Sequence, residues 1–148
     1  MAERVVEVSR RIAAPPDVVF AFLTDAEKYT RWKGIAAELD PRPGGVYRVQ
    51  MSADAYVRGE FMEIEAPTRV VFTWGWEGSD AISPGSTTVE VVLEPDGDET
   101  IATLRHSGLP DDRAADEHRD GWQHYLSRLV PAAQGSDPGP DPIAAEHP

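Results

Sequence analysis

The chain has 148 residues, with 14 Lys and Arg against 26 Asp and Glu, a formal charge of −12 and no cysteine. That length fits one domain with a substantial core, and the acidic excess repels phosphate, which argues against nucleic acid and anionic membranes as partners. Without cysteine there are no disulfides, no thiolate metal sites and no cysteine nucleophile. No stretch approaches the roughly 20 apolar residues of a membrane span. Glu3, Arg4, Glu7, Arg10 and Arg11 interrupt every apolar run near the N-terminus, so no signal peptide is read there and the default compartment is the cytoplasm.

Arg4 to Ile12 alternates, with Val6, Val8 and Ile12 on one face and Glu7, Ser9 and Arg11 on the other, which predicts a first strand. Arg10 is a misfit on the apolar face. Ala13-Ala14-Pro15-Pro16-Asp17 breaks the pattern. Pro is tolerated in a first helical turn, and Val18, Val19, Phe22 and Leu23 follow at helical spacing, giving a short helix that ends near Leu23. Thr24-Asp25-Ala26-Glu27 has the form of a capping box, in which the Thr24 and Glu27 side chains each satisfy a free N–H of a second short helix. That helix carries Tyr29 and Trp32, and Gly34 is placed to end it.

From Ile35 onward turns recur at strand-length spacing. Strands are predicted at Ile35 to Leu39, Val46 to Met51, Tyr56 to Ile64, Arg69 to Trp76, Thr87 to Leu93 and Thr100 to His106. Between them lie Pro41-Arg42-Pro43-Gly44-Gly45, Ala66-Pro67-Thr68, the long loop Gly78 to Gly85, and Pro95-Asp96-Gly97-Asp98, where Pro presets one dihedral and Gly supplies another. Val70, Phe72, Trp74 and Trp76 share a strand face, and His106 points inward with Leu104 if Thr100, Ala102 and Leu104 are the buried side.

Asp111 to Val130 is the last periodic segment. Ala115, His118, Trp122, Tyr125, Leu126 and Leu129 recur mostly at intervals of three and four, which lines them along one side of a helix whose other side is charged. Asp111 or Asp112 is placed to accept first-turn N–H groups, and Pro131 is expected to stop the helix. Residues 132–148, rich in Pro, Gly, Asp and Ala, read as a flexible tail after a domain spanning 1–131. The order strand, two short helices, six strands, long helix predicts an α+β fold: one seven-stranded antiparallel sheet with helices packed on one face.

Particular stretches sharpen this. They are Ile12-Ala13-Ala14-Pro15 with Trp32, Gly44-Gly45, Gly59-Glu60, Ile64-Glu65-Ala66-Pro67, Val71-Phe72-Thr73-Trp74, His106-Ser107-Gly108-Leu109, and His118 with Gly121-Trp122. Together they resemble the START-like (SRPBCC) superfamily with its helix-grip fold, and within it the family named for the activator of the heat-shock protein 90 ATPase. The resemblance spans Val6 to Leu129. It implies a curved sheet gripping the C-terminal helix, with a cavity between them that often holds an apolar small molecule, and it implies no shared catalytic set.

The candidate ligand-binding residues are therefore Trp32, Tyr47, Val49, Phe61, Phe72, Trp74, Leu104, His106, His118 and Trp122. Ligand sites are mostly apolar with few polar groups, but the same aromatic residues can serve as core packing, the simpler reading of Phe72 and Trp122. His106 and His118 near one cavity could move a proton, whereas a metal site lacks a third ligand, and no cofactor is implied. Arg48, Arg58, Glu60 and Glu63 read as solvated charge pairs, and Gly44-Gly45 and Gly59 as backbone requirements. The expected function is non-catalytic binding of a small hydrophobic molecule between sheet and helix. Two alternatives stay open: a cyclase-, aromatase- or hydrolase-like enzyme using His106 or His118, and an interaction module acting on a chaperone ATPase. A chaperone or a second copy of the chain is the protein partner left open.

Overall fold

Apolar and polar residues alternate along seven strands, which the computed structural model, describing residues 4–139, joins into one antiparallel sheet. They are β1 (Arg4–Ile12), β2 (Ala36–Leu39), β3 (Val46–Gln50), β4 (Tyr56–Glu65), β5 (Arg69–Trp74), β6 (Thr87–Asp96) and β7 (Glu99–Leu109). The spatial order is β1-β7-β6-β5-β4-β3-β2. The strands from β2 to β7 are a simple meander, and β1 pairs with the last of them, setting Val8 opposite Leu104. Between β1 and β2 the chain must cross from one edge of the sheet to the other. It does so through α1 (Pro16–Thr24) and α2 (Ala26–Tyr29).

Strand alternation delivers one apolar face. Val6, Val8 and Ile12 of β1, Thr87, Val89, Val91 and Leu93 of β6, and Thr100, Ala102, Leu104 and His106 of β7 are all buried. Arg10, the misfit, is half-buried: its guanidinium donates to the Ser9 carbonyl at 2.8 Å and reaches the carbonyl of Gln123 on the long helix at 3.5 Å. The sheet bends where β4 and β5 slip register between Phe61 and Glu63. Nearby, a Cβ on Gly59 would lie 1.9 Å from the Thr73 carbonyl oxygen, so only glycine allows the backbones to come that close. Gly45 meets the Asp40 carbonyl in the same way.

The long helix α3 (Asp112–Ala133) lies along β1 and against β7 and α1. Asp111 caps it by accepting the Ala114 N–H at 2.8 Å. Its buried residues include Ala115, Trp122, Tyr125, Leu126 and Leu129, the side marked by sequence spacing. Three helix boundaries differ from expectation, and one of them is the end of α2, which stops at Tyr29 and leaves Trp32 and Gly34 in the turn beyond it. The long helix does not stop at Pro131 but runs through it to Ala133. Pro131 forfeits the bond its N–H would have made, yet Ala132 and Ala133 are buried and the Gln134 side chain accepts the Ala13 N–H at 2.8 Å, which offsets that loss. The capping box also moves by one residue. Because α1 extends through Thr24, whose hydroxyl donates to the Phe20 carbonyl, the cap of α2 is Asp25, accepting from the Glu27 and Lys28 N–H groups. Residues 140–148, including His147 and most of the expected tail, lie outside the described residues.

Beyond α2 the core is an aromatic stack. Tyr47 lies 4.1 Å from Phe72, centroid to centroid, and edge-on to Phe61 at 5.9 Å, while Tyr29 packs on Trp32 at 4.8 Å. The Tyr29 and Tyr47 hydroxyls bond to each other, and burial pushes both phenols above their ordinary range, so they stay neutral. Trp32 Nε1 donates to the Phe22 carbonyl at 2.9 Å. Arg128, buried on α3, donates through Nε to the Trp32 carbonyl at 3.0 Å and through Nη2 to the Gly139 carbonyl at 2.8 Å. It holds the turn after α2, the helix and the chain beyond it together. Arg128→Ala removes the donor from a buried carbonyl, and charged hydrogen bonds of this kind contribute about 1.5–3 kcal/mol. A loss of about that size in urea unfolding is expected; a midpoint unchanged from wild type would show that the three segments hold without it.

Candidate functional site

Because α3 lies over the β1 side of the sheet, space is left where β5 and the turn between β3 and β4 face the first half of the helix. A cavity of about 480 Å³ occupies it. Its lining grades from buried to exposed. Lys33, Met51, Ser52, Trp74, Trp122 and Tyr125 are buried; Ala55, Trp76, His118 and Gly121 are half-buried; Glu117 and Asp120 are exposed at the rim. The cavity is thus a blind pocket with an aromatic wall and an acidic mouth, within the size range of small-molecule sites.

Of the ten residues expected to bind ligand, Trp74, His118 and Trp122 line this cavity. Trp32, Tyr47, Val49, Phe61, Phe72 and Leu104 are buried beside or beneath it, packed in the core. His106 lies directly under Trp122. Sequence spacing missed Lys33, Ser52 and Ala55, which sit in turns with no periodicity, and Glu117, Asp120 and Gly121 on the helix, whereas Met51 continues the buried alternation of Tyr47 and Val49 at the end of the strand expected over Val46 to Met51. Trp76 and Tyr125 were visible as aromatics of the same strand face and helix stripe. Arg48 and Arg58 face away from the cavity and meet Glu77, Arg48 through two bonds of 2.8 and 3.3 Å; Glu63 pairs with Arg69. Among the described residues no group of three or more His, Asp or Glu is arranged to hold a metal ion.

The position of Lys33 is set by its neighbours. Trp32 is anchored to Phe22, and Gly34 has φ +80°, so the chain passes close over β3, where a Cβ on Gly34 would stand 2.5 Å from Val49 Cγ1. Lys33 is left only 1% exposed. Its Nζ lies 3.0 Å from Met51 Sδ and 4.4, 5.1 and 5.0 Å from the ring centroids of Trp74, Trp122 and Tyr125. Aromatic faces attract a cation, which offsets part of the cost of burying one. Beside it, Trp74 Nε1 is buried and has no hydrogen-bond partner, the one such side-chain nitrogen or oxygen among the described residues.

The histidines are wired. Trp122 Nε1 donates to His106 Nδ1 at 3.0 Å, which leaves the His106 proton on Nε2 to be donated to Thr87 Oγ1 at 2.8 Å; Thr87 in turn donates to the Trp74 carbonyl at 2.7 Å. Burial, then the positive potentials of His118 and Lys33, push the His106 pKa down to about 3. His118 lies at the outer end, its ring centroid 5.4 Å from that of His106. Its Nδ1 donates to the Ala114 carbonyl at 2.7 Å and its Nε2 accepts from Trp76 Nε1 at 3.3 Å. Both rings therefore orient tryptophans. Since the folded His106 pKa lies below the ordinary value of about 6.5, the unfolded chain binds the extra proton. The stability this neutral ring contributes is complete above pH ~6.5 and falls as pH drops from there toward 3. His106→Gln is expected to lower the melting temperature at pH 7.5 and to reduce its decline between pH 6.5 and 5. A decline as steep as that of wild type would mean that His106 titrates normally.

A family model described as Activator of Hsp90 ATPase homolog 1-like protein matches residues 13–134. No curated protein matches the chain significantly. Among solved structures, an AHSA1-like protein from Rhizobium etli is 45% identical over 95% of this chain and 88% of its own, with a TM-score of 0.76. CalU16 from Micromonospora echinospora is 27% identical over 90% of this chain and 78% of its own, with a TM-score of 0.74. An HSP90 activator from Plasmodium falciparum is 26% identical over 84% of this chain and 92% of its own, with a TM-score of 0.70. The chain therefore belongs to the AHSA1-like family of START-like (SRPBCC) domains.

Proposed function

We propose that the chain binds a small, largely apolar molecule in the cavity between α3 and the sheet, and holds it without chemical change. What supports this is a pocket that opens to solvent at one end and is walled by Trp74, Trp76, Trp122, Tyr125 and Met51. A planar or branched apolar body would exchange water for ring faces there, the principal source of affinity in such sites. The catalytic alternative loses its inner proton carrier, because both His106 nitrogens are committed and burial keeps the ring neutral. The chaperone alternative draws on the family description and on the likeness to the Plasmodium HSP90 activator, and among the described residues none adds to it.

Gly121 offers a test that leaves the core intact. It lines the pocket from α3, and a Cβ placed on it meets nothing within 4 Å. Gly121→Leu fills part of the opening while replacing a glycine inside a helix, a change that stabilises by about 0.5–1 kcal/mol. N-phenyl-1-naphthylamine, an uncharged fluorescent probe, is expected to bind the wild type at one site and to change the emission of the lining tryptophans. The Gly121→Leu protein should melt no lower and bind at least tenfold more weakly. Equal binding by the variant would put the probe elsewhere, and no binding by either protein across a panel of apolar probes would remove the reading.

A further inference from the structure

We infer that the molecule held in this cavity carries an anionic oxygen group, a carboxylate or its chemical equivalent, that enters first and lies between Lys33 Nζ and Trp74 Nε1. This rests on the binding reading above and specifies the ligand's polarity. Hydrogen-bond character along the pocket is not uniform. Among the buried lining residues, Lys33 and Trp74 carry side-chain groups that only donate, while Ser52 and Tyr125 carry hydroxyls that can donate or accept. Both lining carboxylates, Glu117 and Asp120, stand at the exposed rim. A wholly apolar ligand would leave the Trp74 N–H buried and without an acceptor, a state that native interiors rarely keep. An anionic oxygen satisfies that N–H and meets Lys33 in a low-dielectric setting, where charge-assisted bonds are short and strong. The ring faces of Trp122 and Tyr125 already hold the ammonium near the pocket's inner end, so it is placed before the ligand arrives.

The experiment compares two probes that share one apolar framework, N-phenyl-1-naphthylamine and its sulfonated counterpart 8-anilinonaphthalene-1-sulfonate, by fluorescence titration of the full chain. The wild type is expected to bind the sulfonate at least tenfold more tightly than the neutral probe, against the repulsion of a −12 chain. Lys33→Met should erase that preference, bringing the ratio of the two affinities to within about twofold of one. Trp74→Phe, which keeps an aromatic ring and removes the N–H, should lower the ratio of sulfonate to neutral-probe affinity about three- to tenfold. Equal wild-type affinities, or a Lys33→Met protein that keeps the preference, would overturn the inference and leave the binding reading standing. Failure of both probes to bind the wild type would overturn the inference, and failure of the wider panel of apolar probes would remove the binding reading as well. If a variant fails to fold, the wild-type ratio of the two affinities decides alone.

Discussion

The hydrogen bond from Trp122 Nε1 to His106 Nδ1 fixes how α3 sits on the sheet. A tryptophan brings a large apolar body and one polar atom, and burial is favourable only where that atom finds an acceptor. His106 is such an acceptor only in its neutral Nε2–H form, which Thr87 enforces from β6 and the Trp74 carbonyl enforces from β5 through Thr87. One chain of donors and acceptors thus ties the helix to three adjacent strands, β7, β6 and β5. With α3 pinned there and lying along β1, its first half stands away from the turn between β3 and β4, and the cavity is the space left between them.

Much of this fold is legible in the residues because the sheet obeys a period of two. Val6, Val8 and Ile12, or Val89, Val91 and Leu93, cannot turn inward without sending their neighbours outward, so each strand announces its register. Helix ends are less legible, since they depend on small energies that tertiary contacts exceed. Thr24 and Glu27 satisfy the pattern of a cap, yet one additional turn-ending residue in α1 hands the role to Asp25. Pro131 breaks helices in isolation, but the burial of Ala132 and Ala133 carries α3 past it.

The site was harder to see, for a physical reason. Aromatic residues on an inward face can be core or wall, and only the path of the helix decides which. Tyr47, Phe61 and Phe72 stack against one another and fill their space, whereas Trp74 and Trp122, drawn from the same pattern, border open volume. Lys33 carried no signal at all. A lysine between an aromatic residue and a glycine reads as a solvated turn; here Gly34 brings the backbone so close to β3 that the side chain has to lie inside. Arg128, between Ser127 and Leu129, carried no signal either, yet its guanidinium serves the buried Trp32 carbonyl and that of Gly139.

Arg128 also ties two surfaces that would otherwise move separately. It grips the Trp32 carbonyl, one residue from Lys33, from the same helix that supplies Trp122 and Tyr125 to the pocket. The inner end and the helical wall therefore hold a constant separation whether or not anything fills the space between them. A guest arriving in such a chamber has little ordering of its host to accomplish, and more of the contact energy remains as affinity.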